Sequence, residues 1–373
     1  MAGIYIHIPF CKQACHYCNF YFSTSLRNKD KFVEALLKEI ELTKDYLAGE
    51  QLDTIYFGGG TPSLLEKEEI IKIVDKIAVY HNLNQLQEFT LEANPDDLSP
   101  DKIKAFAELK KWGFNRFSIG VQSFFDEDLQ YMNRVHKAQE ALDSIKRVQD
   151  AGFENITIDL IYGTPTMNNE RWQKNLDTVF QLNIPHISSY ALTVEPKTFL
   201  ERKIKRGESK PVDEEQAAQQ FKILMDQMRK HGYRQYEISN FAKPGKYAVH
   251  NTNYWRGKKY LGLGPSAHSF NQTARRWNIA NNISYIESIN KAQLPFEEEI
   301  LTEAQKVNEK IMTSLRTMWG LNISECGINN AALIKNKLIT INPTHYSLIN
   351  DVLILTDEGR MFADGIAASL FIE

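Results

Sequence analysis

From residue 4 to about residue 195 the chain alternates short apolar runs with longer stretches of helical periodicity. The runs "IYIHI", "TIYFGGG", "EFTLEANP", "RFSIGVQS", "ITIDLIYG" and "HISSYALTV" read as strands buried on both faces. Between them lie segments such as "DKFVEALLKEIELTKDYL", where Phe32, Leu36, Ile40 and Leu47 fall near one helix face while Lys and Glu line the other. Strand, helix, strand at this pitch implies right-handed parallel units. Six such runs are fewer than the eight of a closed barrel, so the pattern predicts an α/β protein built on a partial (β/α)6 TIM-like barrel, with a doubly wound sheet as the alternative. In either architecture chemistry gathers at the C-terminal ends of the strands.

Beyond residue 195 the pattern changes. A charged helical stretch runs from Glu195 to about Gly232, and "EISNFAKPGKYAVHNTNYWRGKKYLGLGPSAHSF" reads as loops and short strands. After the acidic Glu297 to Glu299 come a helix in "EAQKVNEKIMTSLRTM", then helix, strand and helix in "AALIKNKLIT" and "DVLILTDEGRMFADGIAASLF". The expected division is a barrel over 1–232, a loop-rich extension over 233–296 and a smaller α+β, winged-helix-like module over 297–373. No internal repeat or low-complexity segment interrupts this order.

Composition narrows the function classes. The 44 basic and 47 acidic side chains nearly cancel, so the basic excess expected of a nucleic-acid binder is missing and the last module reads as structural or partner-facing. No segment reaches the roughly 18 uninterrupted apolar residues of a membrane span, and no apolar leader opens the chain. The expectation is a cytoplasmic protein, with peripheral membrane association left open. Of four cysteines, three lie within eight positions, a poor disulfide framework and a good set of thiolates for a metal in a reducing compartment.

Cys11, Cys15 and Cys18 form a C-x3-C-x2-C loop directly after the first strand. Soft thiolates suit zinc or an iron-sulfur cluster. Zinc requires a fourth ligand, for which His7 and His16 are at hand. A 4Fe-4S cubane held by three cysteines instead leaves one iron open. Further along the strands stand "GGGTPS", whose glycines leave backbone amides uncovered, Glu92 in "TLEANP", Gln122 in "GVQS", Arg134 in "MNRVH" and Asp159 in "TIDLIYG". Polar groups directed into an apolar barrel should face one another or a ligand.

In this loop and these strand-end residues the chain resembles the radical S-adenosylmethionine superfamily, in particular its branch of proteins like oxygen-independent coproporphyrinogen III oxidase. The resemblance implies a 4Fe-4S cluster on Cys11, Cys15 and Cys18, with S-adenosylmethionine on the open iron. It also implies Tyr5 and Tyr17 beside the cluster, Gly59, Gly60 and Thr61 at the methionyl end, Glu92, Gln122, Arg134 and Asp159 around the carboxylate and ribose, and Ala191 near the adenine. Arg134 is the natural partner of the carboxylate.

Within the branch the oxidase pattern continues from its third cysteine to a further cysteine two residues on. Here Asn19 and Phe20 follow Cys18, and only ten residues precede Cys11. The segment "HNTNYW", residues 250 to 255, is similar to the H-N-x-x-Y-W signature of the HemW-type heme chaperones. That resemblance implies heme as a third ligand, His250 taking part in its binding, apo-acceptors such as respiratory cytochromes, and an electron donor for the cluster. It leaves enzymatic turnover open. The oxidative decarboxylation of coproporphyrinogen III is the alternative activity, and a zinc-stabilised interaction protein the alternative class. His268 in "GPSAHS" is a second imidazole that could lie near the cofactor, and no role is expected for Cys326.

Overall fold

The structure is a computed structural model that describes all 373 residues. The six expected runs form six strands: β1 (Ala2–Ile8), β2 (Leu52–Gly59), β3 (Glu88–Ala93), β4 (Arg116–Gln122), β5 (Asn155–Tyr162) and β6 (His186–Ala191). They are parallel and adjacent in chain order, with helices packed outside. Their burial is close to continuous because both faces are covered. The exceptions in mid-strand mark the hollow: Tyr5, Tyr56, Glu92 and Asp159 are partly open, and Tyr190 near the end of β6 is exposed.

Six further strands extend this sheet. They are β7 (Arg234–Glu237), β8 (Asn240–Ala242), β9 (Lys259–Leu263), β10 (His268–Phe270), β11 (Ala274–Asn278) and β12 (Phe296–Ile300). The order is β12-β11-β10-β9-β1-β2-β3-β4-β5-β6-β8-β7. β9 lies parallel to β1, and the outer strands add in antiparallel fashion. β12 and β7 do not pair with each other, so the barrel stays open. The stretch expected as a loop-rich extension therefore contributes strands to both edges of the barrel sheet, and one hydrophobic core of 55 buried residues runs from Ala2 to Ile289.

The first helix ends earlier than its periodicity suggests. It spans Lys29–Leu42 and buries Phe32, Leu36 and Ile40, while Leu47 is buried in the turns that follow. The Thr43 hydroxyl donates to the carbonyl of Glu39 at 2.7 Å, competing with helix continuation.

The C-terminal residues form their own small core of 14 residues from Ile311 to Ile372. Helices Glu303–Leu315, Ile328–Leu338 and Ala363–Leu370 surround a three-stranded antiparallel sheet made by Leu321–Asn322, Tyr346–Ile349 and Val352–Leu355. No helix of the chain is long and apolar enough to cross a membrane.

Candidate cluster and cofactor site

The cysteine loop leaves the C-terminal end of β1 and is closed at its neck by backbone hydrogen bonds, Cys11 N–H to Ser23 O at 3.0 Å and Ser23 N–H to Pro9 O at 2.9 Å. Residues 131–134, beyond β4, hold its tip. Gln13 Nε2 donates to Asn133 O at 2.9 Å, Asn133 Nδ2 donates to Ala14 O at 2.7 Å, and His16 N–H donates to Met132 O at 3.1 Å. Lys12 is paired with Asp96 at 2.8 Å and with Asp97. A loop without secondary structure is thus fixed on two sides by segments following β3 and β4.

Burial pushes the Cys11 and Cys18 thiols up to about 11, so a metal that takes these sulfurs as thiolates displaces a proton from each. No three His, Cys, Asp or Glu side chains converge closely enough to ligate a single ion. Cubane ligands bind different irons and stand wider apart. Of the two histidines available for a zinc site, His7 has both ring nitrogens engaged and His16 has one. His7 meets Tyr5 Oη at 3.3 Å and Tyr21 O at 2.9 Å, and His16 Nδ1 meets Tyr131 O at 3.0 Å. The donor set fits a three-cysteine cluster better than mononuclear zinc.

Arg134 lies above the loop. Its Nη1 donates to Cys15 Sγ at 3.3 Å, and its Nη2 donates to Asn94 Oδ1 at 2.6 Å and to Gly120 O at 2.8 Å. Its Nε is buried with no protein partner, a donor left for something else. Gln122 sits where the β4–β5 register shifts, with φ +66°. This left-handed bulge is unusual for a side chain other than Gly or Asn and directs Gln122 at the site. Glu92 accepts from Tyr56 Oη at 2.7 Å and from Gly59 N–H at 3.2 Å. Burial pushes its carboxyl up to about 7 and that of Asp159 up to about 6.

The glycines of the second strand end have steric causes. Gly59 has φ +104°, and a Cβ there would lie 2.6 Å from the His7 ring. A Cβ on Gly60 would lie 2.6 Å from the carbonyl oxygen of Phe10, which is backbone and unable to swing away. The cysteine loop and the glycine turn are thus in direct backbone contact.

A cavity of about 150 Å³ is lined by all three cysteines and by Tyr17, Gly59, Gly60, Thr61, Glu92, Gln122, Arg134 and Asp159. Asn94 also lines it. Sequence reasoning passed over this residue, although it stands two positions from Glu92 in "LEANP". Ala191 is not in this cavity. It ends β6 and lines a separate cavity of about 340 Å³ between the barrel and the C-terminal residues.

A second, larger cavity of about 810 Å³ shares Phe20, Glu92 and Ser118 with the first. Tyr5 and four imidazoles, of His7, His186, His250 and His268, line it. His186 lies between Thr157 Oγ1 at 3.0 Å and Tyr236 Oη at 2.8 Å, and His7 is satisfied as described. The ring of His268 has no protein partner. His250 Nδ1 meets Thr54 Oγ1 at 2.8 Å, while its Nε2 has no protein partner. Burial lowers the His250 imidazole to about 4, so the ring is neutral with a lone pair available to a metal.

His250 lies in the short helix Val249–Trp255. The buried carboxylate of Glu88 anchors this helix, accepting from Val249 N–H at 2.7 Å and from His250 N–H at 3.2 Å. One turn on, Tyr254 lines the same cavity. Trp255 turns away from it, toward Arg316, whose guanidinium stands 5.2 Å from its ring.

Open parallel barrel, three-cysteine loop, glycine turn and strand-end polar set together define a radical S-adenosylmethionine protein, and residues 5–179 match the radical SAM superfamily. Such proteins carry a 4Fe-4S cluster and S-adenosylmethionine. The chain belongs to the HemW family within that superfamily. It is 39% identical over 327 residues to the heme chaperone HemW of Bacillus subtilis, covering 86% of this chain and 85% of the relative. It is 37% identical over 271 residues to HemW of Escherichia coli, covering 71% and 69%. Among solved structures, coproporphyrinogen III oxidase (HemN) of Escherichia coli superposes with a TM-score of 0.85 at 23% identity, over 99% of this chain and 90% of that one, a likeness of fold.

Proposed function

We propose that this protein is a heme chaperone that binds heme in the larger cavity and delivers it to apo-acceptors such as respiratory cytochromes. Cys11, Cys15 and Cys18 hold the cluster. Gly59, Gly60, Thr61, Glu92, Gln122, Arg134 and Asp159 hold S-adenosylmethionine, with Tyr17 flanking the cluster. A 4Fe-4S cluster held there would supply, once reduced by a donor protein, single-electron chemistry at the sulfonium. In this reading the chain's residues bind and orient rather than turn over a substrate.

One observation carries the proposal: a neutral His250 whose Nε2 has no protein partner faces an 810 Å³ cavity, a volume within the range of small-ligand and cofactor sites. Tyr5, Tyr56, Tyr190, Tyr254 and Tyr260 give that cavity broad apolar faces with polar edges. The relatives named heme chaperones support the same reading. Asn19 and Phe20, in place of the oxidase's C-x-C continuation, weigh against coproporphyrinogen oxidation.

The test is a heme titration of cluster-reconstituted protein, wild type against His250→Ala. Loss of an iron ligand should weaken heme by about tenfold or more and alter its Soret band. Equal affinity and an unchanged band would remove His250 from the site. Anaerobic incubation with coproporphyrinogen III and S-adenosylmethionine should release no carbon dioxide, and release would establish the oxidase instead.

A further inference from the structure

The two cavities meet at Glu92 on β3 and Ser118 on β4, and the neighbouring β2 runs past both. Thr54, Tyr56 and Gly58 alternate along that strand and face the barrel interior. Thr54 meets His250, and the turn after Gly58 meets the cysteine loop. Between them stands Tyr56. Its hydroxyl donates to Glu92 Oε1 at 2.7 Å, and its ring lies 5.0 Å from that of His250 with an interplanar angle of 30°. The ring also stacks on Tyr5, 6.0 Å away, and Tyr5 lies 6.4 Å from His250, so the three rings form a triangle.

The group has little slack. A Cβ on Gly58 would lie 2.8 Å from the Tyr56 ring, 2.9 Å from Tyr5 and 3.1 Å from Glu92 Oε1. Three side chains therefore converge on the space that this glycine leaves. One carboxylate also lines both cavities, so a ligand donating to Glu92 from the cysteine side acts on the same oxygens that hold Tyr56. Fixing Glu92 fixes the Tyr56 hydroxyl, and the ring then offers His250 a single resting face.

We infer that Tyr56 is a positioning residue that makes heme binding and occupancy of the S-adenosylmethionine site mutually dependent. The inference rests on the heme reading above and on Glu92 facing the sulfonium cofactor, whichever group of that cofactor it takes. The sign is positive. A cofactor that immobilises Glu92 and Tyr56 removes freedom that heme binding would otherwise have to remove, so the second ligand binds a more ordered site. By reciprocity heme tightens S-adenosylmethionine by the same factor.

The experiment is a pair of heme titrations on the reconstituted holoprotein, anaerobic and with the cluster oxidised, without and with saturating S-adenosylmethionine, whose own binding is measured separately. The same pair is run on Tyr56→Phe. In the wild type the cofactor should tighten heme by about fivefold or more, and in Tyr56→Phe the ratio should fall to within about twofold. A wild-type ratio of about one would overturn the coupling without any variant, and a full ratio in Tyr56→Phe would overturn the assignment to Tyr56. Heme that fails to bind in the first titration would refute the heme reading itself, a result distinct from heme that binds indifferently to the cofactor.

Discussion

Glu88 offers the sharpest test of how His250 is held. Its Oε1 accepts from His250 N–H at 3.2 Å and from the Thr90 hydroxyl at 3.1 Å, and its Oε2 accepts from Val249 N–H at 2.7 Å. Arg116 Nε stands 3.9 Å from Oε2, and both side chains are almost wholly buried. Glu88→Gln preserves volume but replaces one acceptor by an NH2 group. Whichever way the amide turns, at least one backbone N–H then faces a donor. A buried unsatisfied group costs about 1–3 kcal/mol, and the buried guanidinium loses its countercharge. The unsatisfied N–H, about 1–3 kcal/mol, falls on the helix Val249–Trp255, while the loss of the countercharge falls on Arg116 in β4. Hydrogen exchange followed by mass spectrometry on the peptide spanning residues 246–258 reads this directly. If the segment opens locally, its amides should exchange roughly five- to a hundredfold faster in the variant, while peptides from β5 and β6 keep their wild-type rates. Unchanged exchange in residues 249–255 would show that the helix is held by something other than Glu88.

Three further outcomes follow from the geometry. Arg134→Lys replaces the fork that reaches Cys15, Asn94 and Gly120 by a single point charge, so calorimetric affinity for S-adenosylmethionine should fall by about tenfold or more with little change in iron content. Glu92 has its carboxyl raised from 4.5 to about 7 by burial. Its folded value exceeds its unfolded one, so the stability it contributes is fully present below about pH 4.5 and lost as pH rises through about 7. The protein without cofactors should therefore be less stable at pH 7.5 than at pH 5 in urea unfolding, and Glu92→Gln should remove up to roughly 2 kcal/mol of that difference; an unaltered pH slope in the variant would contradict the assignment. Gly60→Ala drives a methyl group into the Phe10 carbonyl, so iron and sulfide incorporation on reconstitution should drop sharply, and normal incorporation would show that the loop can shift.

Much of the barrel was legible because parallel strands buried on both faces write themselves as apolar runs, and the six runs correspond to β1–β6. Strands β9–β12 were harder to read. They are short, and "KYLGL" and "ARRWN" mix charge with apolar residues because one face looks onto a polar cavity. The cysteine loop announced itself by spacing, and the polar strand-end residues by their rarity in apolar surroundings. Asn94 was missed because it looks like part of a turn, and only the fold shows that it holds Arg134 Nη2 at 2.6 Å. Glu88 was missed for a similar reason: at the start of a strand an acidic residue reads as solvent-facing, and its partners lie more than 160 residues away. The divergence of Trp255 from His250 and Tyr254 follows from helical geometry, since adjacent positions point about 100° apart.

Leaving the barrel unclosed has a cost at its margins. An unpaired strand presents a row of free amides and carbonyls to which a second copy could add and then a third, the route to fibrous assembly. The outermost strand on the β1 side, "FEEEI", carries Glu297, Glu298 and Glu299, of which Glu298 is bound back to Arg276 and Glu297 to the Trp277 indole. Like-charged margins repel each other, which disfavours edge-to-edge addition at this strand.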